Sequence, residues 1–114
     1  MFSQSFKDVE VWKKAHQLAL DVYRMTKSFP SEEKYGLVSQ IRRSAVSVAA
    51  NIAEGFQKKG LMDKKRFYNI SQGSLSETQY YLVLIKDLNY ADTLDLTKDA
   101  DVVGKMLYGY MNSF

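Results

Sequence analysis

The sequence predicts an all-α protein, an antiparallel up-down-up-down four-helix bundle in which residues 1–114 form a single domain. Apolar residues recur at helical spacing through four long segments, and no stretch shows the sustained alternation that predicts a strand. Three short polar breaks separate these segments: FPSEEKYG, KKGLMDKK and NYADT. Because short connections join neighbouring helices in opposite directions, consecutive segments are expected to pack antiparallel.

The first two predicted helices are separated by Pro30, the only proline. Helix one is predicted over roughly Asp8–Ser28, with two adjoining apolar stripes that cover about half its circumference. The stripes contain Trp12, Ala15, Ala19, Val22, Tyr23 and Thr26, and beside them Val11, Leu18, Met25 and Phe29. Helix two is predicted from an N-cap at Ser31, with acids in its first turn, to about Gln57. Its inner face contains Val38, Ile41, Ala45, Val48, Ala49, Ile52 and Phe56, and Val46, Ala50 and Ala53 cover another side, which predicts burial on more than one side.

The last two predicted helices follow breaks at Gly60 and at NYADT. Helix three is predicted over about Asp63–Leu88, a length of roughly 39 Å. Its predicted core face contains Phe67, Ile70, Ser74, Thr78, Tyr81, Ile85 and Leu88. Helix four is predicted after an N-cap at Asp92 or Thr93. Its apolar face contains Leu96, Ala100, Val103, Leu107, Tyr110 and Phe114.

Composition excludes several classes of protein. The chain has no cysteine and a single histidine, His16, so disulfides, thiolate metal sites and histidine-rich metal sites are excluded and no cofactor is expected. No segment reads as a signal peptide or a membrane span, which predicts a cytoplasmic protein with no membrane partner. The net charge of +3 is mildly basic and becomes informative only where the positive residues cluster.

The motif NIAEG places three unusual residues on one face of helix two: Asn51, Glu54 and Gly55 stand at i, i+3 and i+4. A helix-interior glycine usually marks close packing or a nearby end, and buried polar groups need partners. Candidate partners are Arg42, Arg43 and Glu77. We therefore predict that these six residues order helix packing or a subunit interface, the alternative being a polar recognition site.

Glu54 and Glu77 are also the candidates for a catalytic carboxylate pair. Carboxylate-bridged metal sites in helical bundles use a Glu-x-x-His spacing, which this chain lacks because Lys13 stands three residues before His16. The GFQKKG segment also lacks the residues of a phosphate-binding loop. The sequence therefore predicts no catalytic residue and no metal site.

The densest basic cluster follows the NIAEG motif and contains Lys58, Lys59, Lys64, Lys65 and Arg66. Such residues can bind phosphates and release counterions, or they can simply form a solvated turn. Tyr68 lies near the cluster and could stack on a base. Tyr68, Tyr80, Leu18 and Met25 fall outside the predicted core faces, and large apolar residues in such positions favour association with another protein surface.

Three segments, FKDVEVWKKA (Phe6–Ala15), SQIRRSAVSVAANIAEG (Ser39–Gly55) and GSLSETQYYL (Gly73–Leu82), resemble a bacterial family of four-helix-bundle proteins. Some members are encoded by intervening sequences inside large-subunit ribosomal RNA genes, and the family also carries a ribosomal-protein label. The resemblance implies a bundle that assembles into a homopentameric ring and has no enzyme activity. A related branch, the accessory protein of diversity-generating retroelements, has a basic surface that binds nucleic acid and a partner reverse transcriptase.

The residues and the resemblance together favour a non-enzymatic oligomer that binds nucleic acid, RNA first, through a basic surface repeated around a ring. The alternative is a scaffold that docks a protein partner, such as a reverse transcriptase, and has no direct nucleic-acid role. The first hypothesis predicts binding that falls steeply with salt. The second predicts a specific protein that co-purifies with little nucleic acid.

Overall fold

A computed structural model describes residues 5–114 and confirms the antiparallel four-helix bundle. The helices are α1 (Glu10–Thr26), α2 (Leu37–Gln57), α3 (Leu61–Asp87) and α4 (Leu94–Met111), with 3₁₀ turns at Phe6–Asp8 and Ser31–Glu33. No strand occurs within residues 5–114. α1 and α3 occupy opposite corners of the bundle, and each contacts both α2 and α4. The longest dimension is 44 Å, close to the length of about 40 Å expected for α3.

The predicted inner faces of α2 and α4 are confirmed except at Phe114, which lies beyond the end of α4 and is 48% exposed. On α2, the buried residues include Val38, Ile41, Ala45, Val48, Ala49 and Ile52. On α4, they include Leu96, Ala100, Val103 and Leu107. These side chains join those of α1 and α3 in one apolar core, so the patterns of both helices were strong enough to fix which side faces inward.

Two large side chains predicted to lie outside the core are in fact inside it. Leu18 is 1% exposed and Tyr68 is fully buried, so the prediction was wrong for both. Leu18 lies on the side of α1 that meets α4, and Tyr68 fills the space beside Gly55 of α2. Tyr80, in contrast, is 59% exposed, as predicted.

The predicted core face of α3 was wrong for most of its residues, and only Thr78 and Ile85 of that face are buried. The buried residues of α3 are Tyr68, Ser71, Leu75, Thr78, Leu82 and Ile85. Of the predicted face, Ile70 is 43% exposed and Leu88 is 45% exposed. Apolar residues occur on several sides of this helix. The side that faces α2 also buries serine and threonine residues, which hydrogen-bond there and which a search for apolar spacing does not identify as core.

Hydroxyl groups connect α2 to α3 along the middle of the pair. Ser71 Oγ donates a hydrogen bond to the backbone oxygen of Val48 over 2.7 Å. The hydroxyls of Ser44 and Thr78 are 2.8 Å apart, and those of Ser47 and Ser74 are 2.7 Å apart. Small side chains allow the two backbones to approach closely, and every buried hydroxyl among them has a partner.

The start of α2 differs from the prediction. Ser31 begins a separate 3₁₀ turn, and α2 begins only at Leu37, after Gly36. The predicted N-cap was therefore wrong. Glu33 takes part in both neighbouring elements: its Oε1 accepts a hydrogen bond from Leu37 N over 3.3 Å, and its Oε2 accepts one from Tyr90 over 2.9 Å. The turn between α1 and α2 is thereby fixed to the end of α3.

Candidate nucleic-acid interface

The five cations predicted to contact nucleic acid lie together at the connection between α2 and α3. α2 ends at Gln57, Lys58 and Lys59 form the link with Gly60, and the other three cations occupy the first two turns of α3. We call Lys58, Lys59, Lys64, Lys65 and Arg66 the basic turn. Because the link is so short, the five charges of the basic turn share one end of the bundle.

Lys64 differs from the rest of the basic turn because its ammonium group binds the protein itself. Its Nζ donates hydrogen bonds to the backbone oxygens of Gly55, over 3.1 Å, and Phe56, over 3.0 Å. The same ammonium lies 5.7 Å from the ring centre of Phe56 and 5.5 Å from that of Phe114. The last carbonyls of a helix have no partner within the helix, and a lysine there satisfies them and interacts favourably with the helix dipole. Lys64 therefore caps α2.

Lys58 and Arg66 both lie close to the half-buried ring of Phe67. The Lys58 ammonium is 5.2 Å and the Arg66 guanidinium 4.5 Å from the ring centre. Each also has an acidic neighbour: Lys58 is 4.0 Å from Glu54, and Arg66 is 3.8 Å from Asp63. Exposed pairs of this kind contribute about 0–1 kcal/mol. A phosphate could therefore displace either carboxylate at small cost.

Lys59 and Lys65 have no hydrogen bond or ion pair with any residue of the described chain. Lys59 is exposed and Lys65 half-exposed. Together with Lys58 and Arg66 they present four positive charges to solvent over a few residues. This arrangement can bind a polyanion through its phosphates.

The sequence-based proposal that Tyr68 stacks on a base is wrong, since the side chain is buried. Its ring contacts those of Tyr110, at 5.2 Å, and Phe114, at 5.8 Å between ring centres. Its hydroxyl donates to that of Tyr110 over 3.4 Å, and burial together with this hydrogen bond raises the pKa of Tyr68 far above its ordinary value. The aromatic ring beside the surface cations is instead Phe67, which sequence reasoning assigned to the core. The sequence did contain a signal for this role, because Phe67 directly follows Arg66 in the chain.

The NIAEG residues have separate roles in the structure. Asn51 donates two hydrogen bonds to Ser47 one turn earlier, to its backbone oxygen at 2.8 Å and its hydroxyl at 2.9 Å. Gly55 is buried against the ring of Tyr68, so close that a Cβ there would collide with it. Glu54 is exposed. Gly55 thus lies at a close contact between α2 and α3, whereas Glu54 faces solvent.

The candidate partners of that motif are directed elsewhere. Arg42 donates to Thr26 Oγ1 over 2.9 Å and stacks on the ring of Tyr23 at 4.5 Å. Arg43 is exposed and makes no hydrogen bond or ion pair with residues 5–114. Glu77 lies near Tyr81, where burial and this carboxylate raise the pKa of the Tyr81 phenol. The structure does not bring Arg42, Arg43 and Glu77 onto Asn51 or Glu54.

Two further features bear on the class of protein. Within the described residues, no three or more histidine or acidic side chains are grouped so as to hold a metal ion. None of the helices described is long and apolar enough to cross a membrane.

Comparison with known proteins supplies the remaining observations. The family model described as 23S rRNA-intervening sequence protein matches residues 7–109. A solved structure from Bacteroides thetaiotaomicron, described as a protein of unknown function from the S23 ribosomal protein family, superposes with a TM-score of 0.79 at 24% identity. The superposition covers 89% of this chain and 97% of that one, and shows a shared fold. A search of curated proteins found no match.

Proposed function

The chain belongs to the 23S rRNA-intervening sequence protein family, and from that premise we propose that it is a non-enzymatic protein that binds nucleic acid, RNA first, through the basic turn. The observation that carries the proposal is the group of four cations, Lys58, Lys59, Lys65 and Arg66, that lack a strong protein partner. Lys64 contributes indirectly, because it holds the end of α2 against the start of α3 and so positions the other four.

Assembly of several copies is the second part of the proposal. A homo-oligomer, with a pentameric ring as the expected form, would repeat the basic turn once per copy. Weak phosphate contacts on one chain would then add along a single RNA molecule, because each later contact forms at a high effective concentration. A single bundle with four available cations would bind only weakly at physiological salt.

The test is fluorescence anisotropy of a labelled single-stranded RNA across a salt series. Each phosphate contact contributes about −0.7 to the slope of log K against log salt, so four contacts on one chain give a slope of about −3. Changing the four available cations to glutamine should remove most of this slope. The mass of each protein is checked by light scattering, so that a change in assembly is not mistaken for a change in binding.

A matched control keeps the net charge of that variant while sparing the basic turn. It changes four other lysines to glutamine: Lys34, Lys86, Lys98 and Lys105. We expect the control to retain the wild-type slope. Equal loss in both variants, or wild-type protein with no salt-dependent binding, would contradict the proposal. A specific protein that co-purifies with the wild-type chain without RNA would then favour the scaffold alternative, in which a partner such as a reverse transcriptase docks on the bundle.

A further inference from the structure

An apolar groove runs along the outside of the bundle between α1 and α2, and no residue of the basic turn lines it. It encloses about 450 Å³. The lining residues include Trp12, Leu20, Tyr23, Val46, Ala50 and Ala53. The alanines of α2 form a shallow floor, and the ring of Trp12 is fixed at one end by contacts with Phe6, at 5.0 Å, and His16, at 4.9 Å. The groove is thus a concave surface with a rigid aromatic wall.

Three large side chains of the groove are exposed to water in the single chain: Leu20 at 39%, Tyr23 at 42% and Val46 at 43%. Single exposed apolar residues are ordinary, but adjacent ones around a concave surface mark a site of association. The groove also contains Val46, Ala50 and Ala53, the residues of α2 from which the sequence predicted burial on a second side. That second side is present, and nothing in residues 5–114 covers it.

The end of the groove at Tyr23 is positively charged. Arg42 stacks on Tyr23 and hydrogen-bonds to a hydroxyl and a carbonyl, so its charge is not neutralised. Arg43 follows it on α2, and Lys27, the first residue after α1, lies one turn beyond Tyr23. Neither Arg43 nor Lys27 has a carboxylate partner in the described chain. An occupant of the groove should therefore combine bulky apolar groups with negative charge.

The outer face of α3 has that combination. Tyr80, at 59%, and Val83, at 54%, are exposed and stand one turn apart. Glu77 and Asp87 lie on the same helix face, one turn before Tyr80 and two turns after it. α3 contacts α2 and α4 with its other sides. Tyr80 and Val83 therefore form an apolar ridge with acids on both flanks, and we call these four residues the α3 ridge.

We propose that the α1–α2 groove receives the α3 ridge of a second copy of this chain. The convex ridge suits the concave floor, and its acids suit the cations near Tyr23. Because groove and ridge are different surfaces, a copy that uses one of them still has the other free for a further neighbour. Repeating this contact gives a closed ring when the rotation from one copy to the next divides a full turn evenly. This inference rests on the self-assembly part of the proposed function and assigns the surfaces that perform it.

The test uses one variant for each surface. Ala50→Glu places a charge on the exposed floor of the groove, and Tyr80→Glu places one on the ridge; both positions are exposed helix sites where glutamate is well tolerated. We expect each variant to keep its helical circular dichroism and to have the mass of one chain, 13.1 kDa, by light scattering. Tyr108→Glu, at another exposed tyrosine on α4, serves as the control and should assemble like wild type.

Mixing the two variants separates this geometry from any other mode of association. The Ala50→Glu chain retains its ridge and the Tyr80→Glu chain retains its groove, so the mixture should form a dimer of one of each and nothing larger. A monomeric wild type, a mixture that stays monomeric, or a control that dissociates as readily would overturn the inference. RNA anisotropy measures binding by the basic turn separately, because the basic turn lies outside both the groove and the ridge. A monomeric wild type that still binds RNA would defeat this inference and leave the RNA proposal standing.

Discussion

Changing Gly55 to alanine should destabilise the bundle, although glycine-to-alanine changes inside helices usually stabilise it. The new Cβ would collide with Cε1 of Tyr68 and lie 2.9 Å from its Cδ1 and 3.0 Å from its Cζ. The ring has little room to move away, because it is fully buried and contacts Tyr110 and Phe114 on its other sides. Backbone or ring must therefore shift to accept one methyl group.

The size of the effect follows from two opposing terms. Overpacking a well-filled core costs about 1–3 kcal/mol. Alanine recovers up to about 1 kcal/mol of helix propensity relative to glycine. With a contact this close, we expect a net loss of about 1–2 kcal/mol in the free energy of unfolding. Gly73, in the interior of α3, has open space where its Cβ would lie, so Gly73→Ala should instead gain about 0.5–1 kcal/mol.

Urea unfolding followed by circular dichroism measures both changes, at one fixed and low protomer concentration so that assembly does not contribute. The two midpoints should move in opposite directions from wild type. In a Tyr68→Leu background, which replaces the ring with a smaller aliphatic side chain, Gly55→Ala should lose most of its cost. If Gly55→Ala raises the midpoint as Gly73→Ala does, the Tyr68 contact does not limit packing and the reasoning is refuted.

Two further predictions concern the end of the bundle that carries the basic turn. Lys64→Met should lower the free energy of unfolding by about 1–2 kcal/mol, because the Phe56 carbonyl loses its donor and the Gly55 carbonyl keeps only Lys58 N, whereas Lys65→Met should change it little. Thermal unfolding of the pair measures this, and equal melting temperatures would contradict the capping role. The raised pKa of Tyr68 means that the folded state favours the neutral phenol, so its contribution is complete below pH about 10 and is lost as the pH rises further. The free energy of unfolding should therefore fall above pH about 10, and fall less in Tyr68→Phe, when measured by urea titration across that range; identical pH profiles would show that ionisation of Tyr68 does not matter.

Sequence reasoning succeeded for α2 and α4, in which large apolar residues recur at helical spacing along the buried side. The inner faces of α2 and α4 follow directly from residues such as Ile41, Ile52, Val103 and Leu107, which are all essentially buried. It failed for α3, because large apolar residues occur around much of that helix. Which of them face inward is decided by the hydroxyls of Ser71 and the neighbouring small residues, and those act only once α2 is in place.

The candidate site shows the same division. Its cations are close in the chain, so their clustering could be read from the sequence. The different role of Lys64 could not be read from the sequence, because one of its two ring contacts is Phe114, at the far end of the chain, and its hydrogen-bond acceptors are backbone carbonyls in the last turn of α2. The burial of Tyr68 likewise depends on Tyr110 and Phe114, which local pattern does not connect to it.

The hydroxyl contacts between α2 and α3 determine how these two helices can be aligned. A purely aliphatic seam would tolerate a slip of one turn, about 5.4 Å, since one methyl group can replace another. Here such a slip would separate Ser44 from Thr78 and Ser71 from the carbonyl of Val48. Ser44 and Thr78 would keep their hydrogen bonds to Ile41 and Ser74 of their own helices, but the buried Ser71 hydroxyl would lose its partner, at a cost of about 1–3 kcal/mol. The same alignment holds Gly55 opposite Tyr68. The hydroxyl contacts thus fix one axial alignment of α2 relative to α3, the two helices that the basic turn connects.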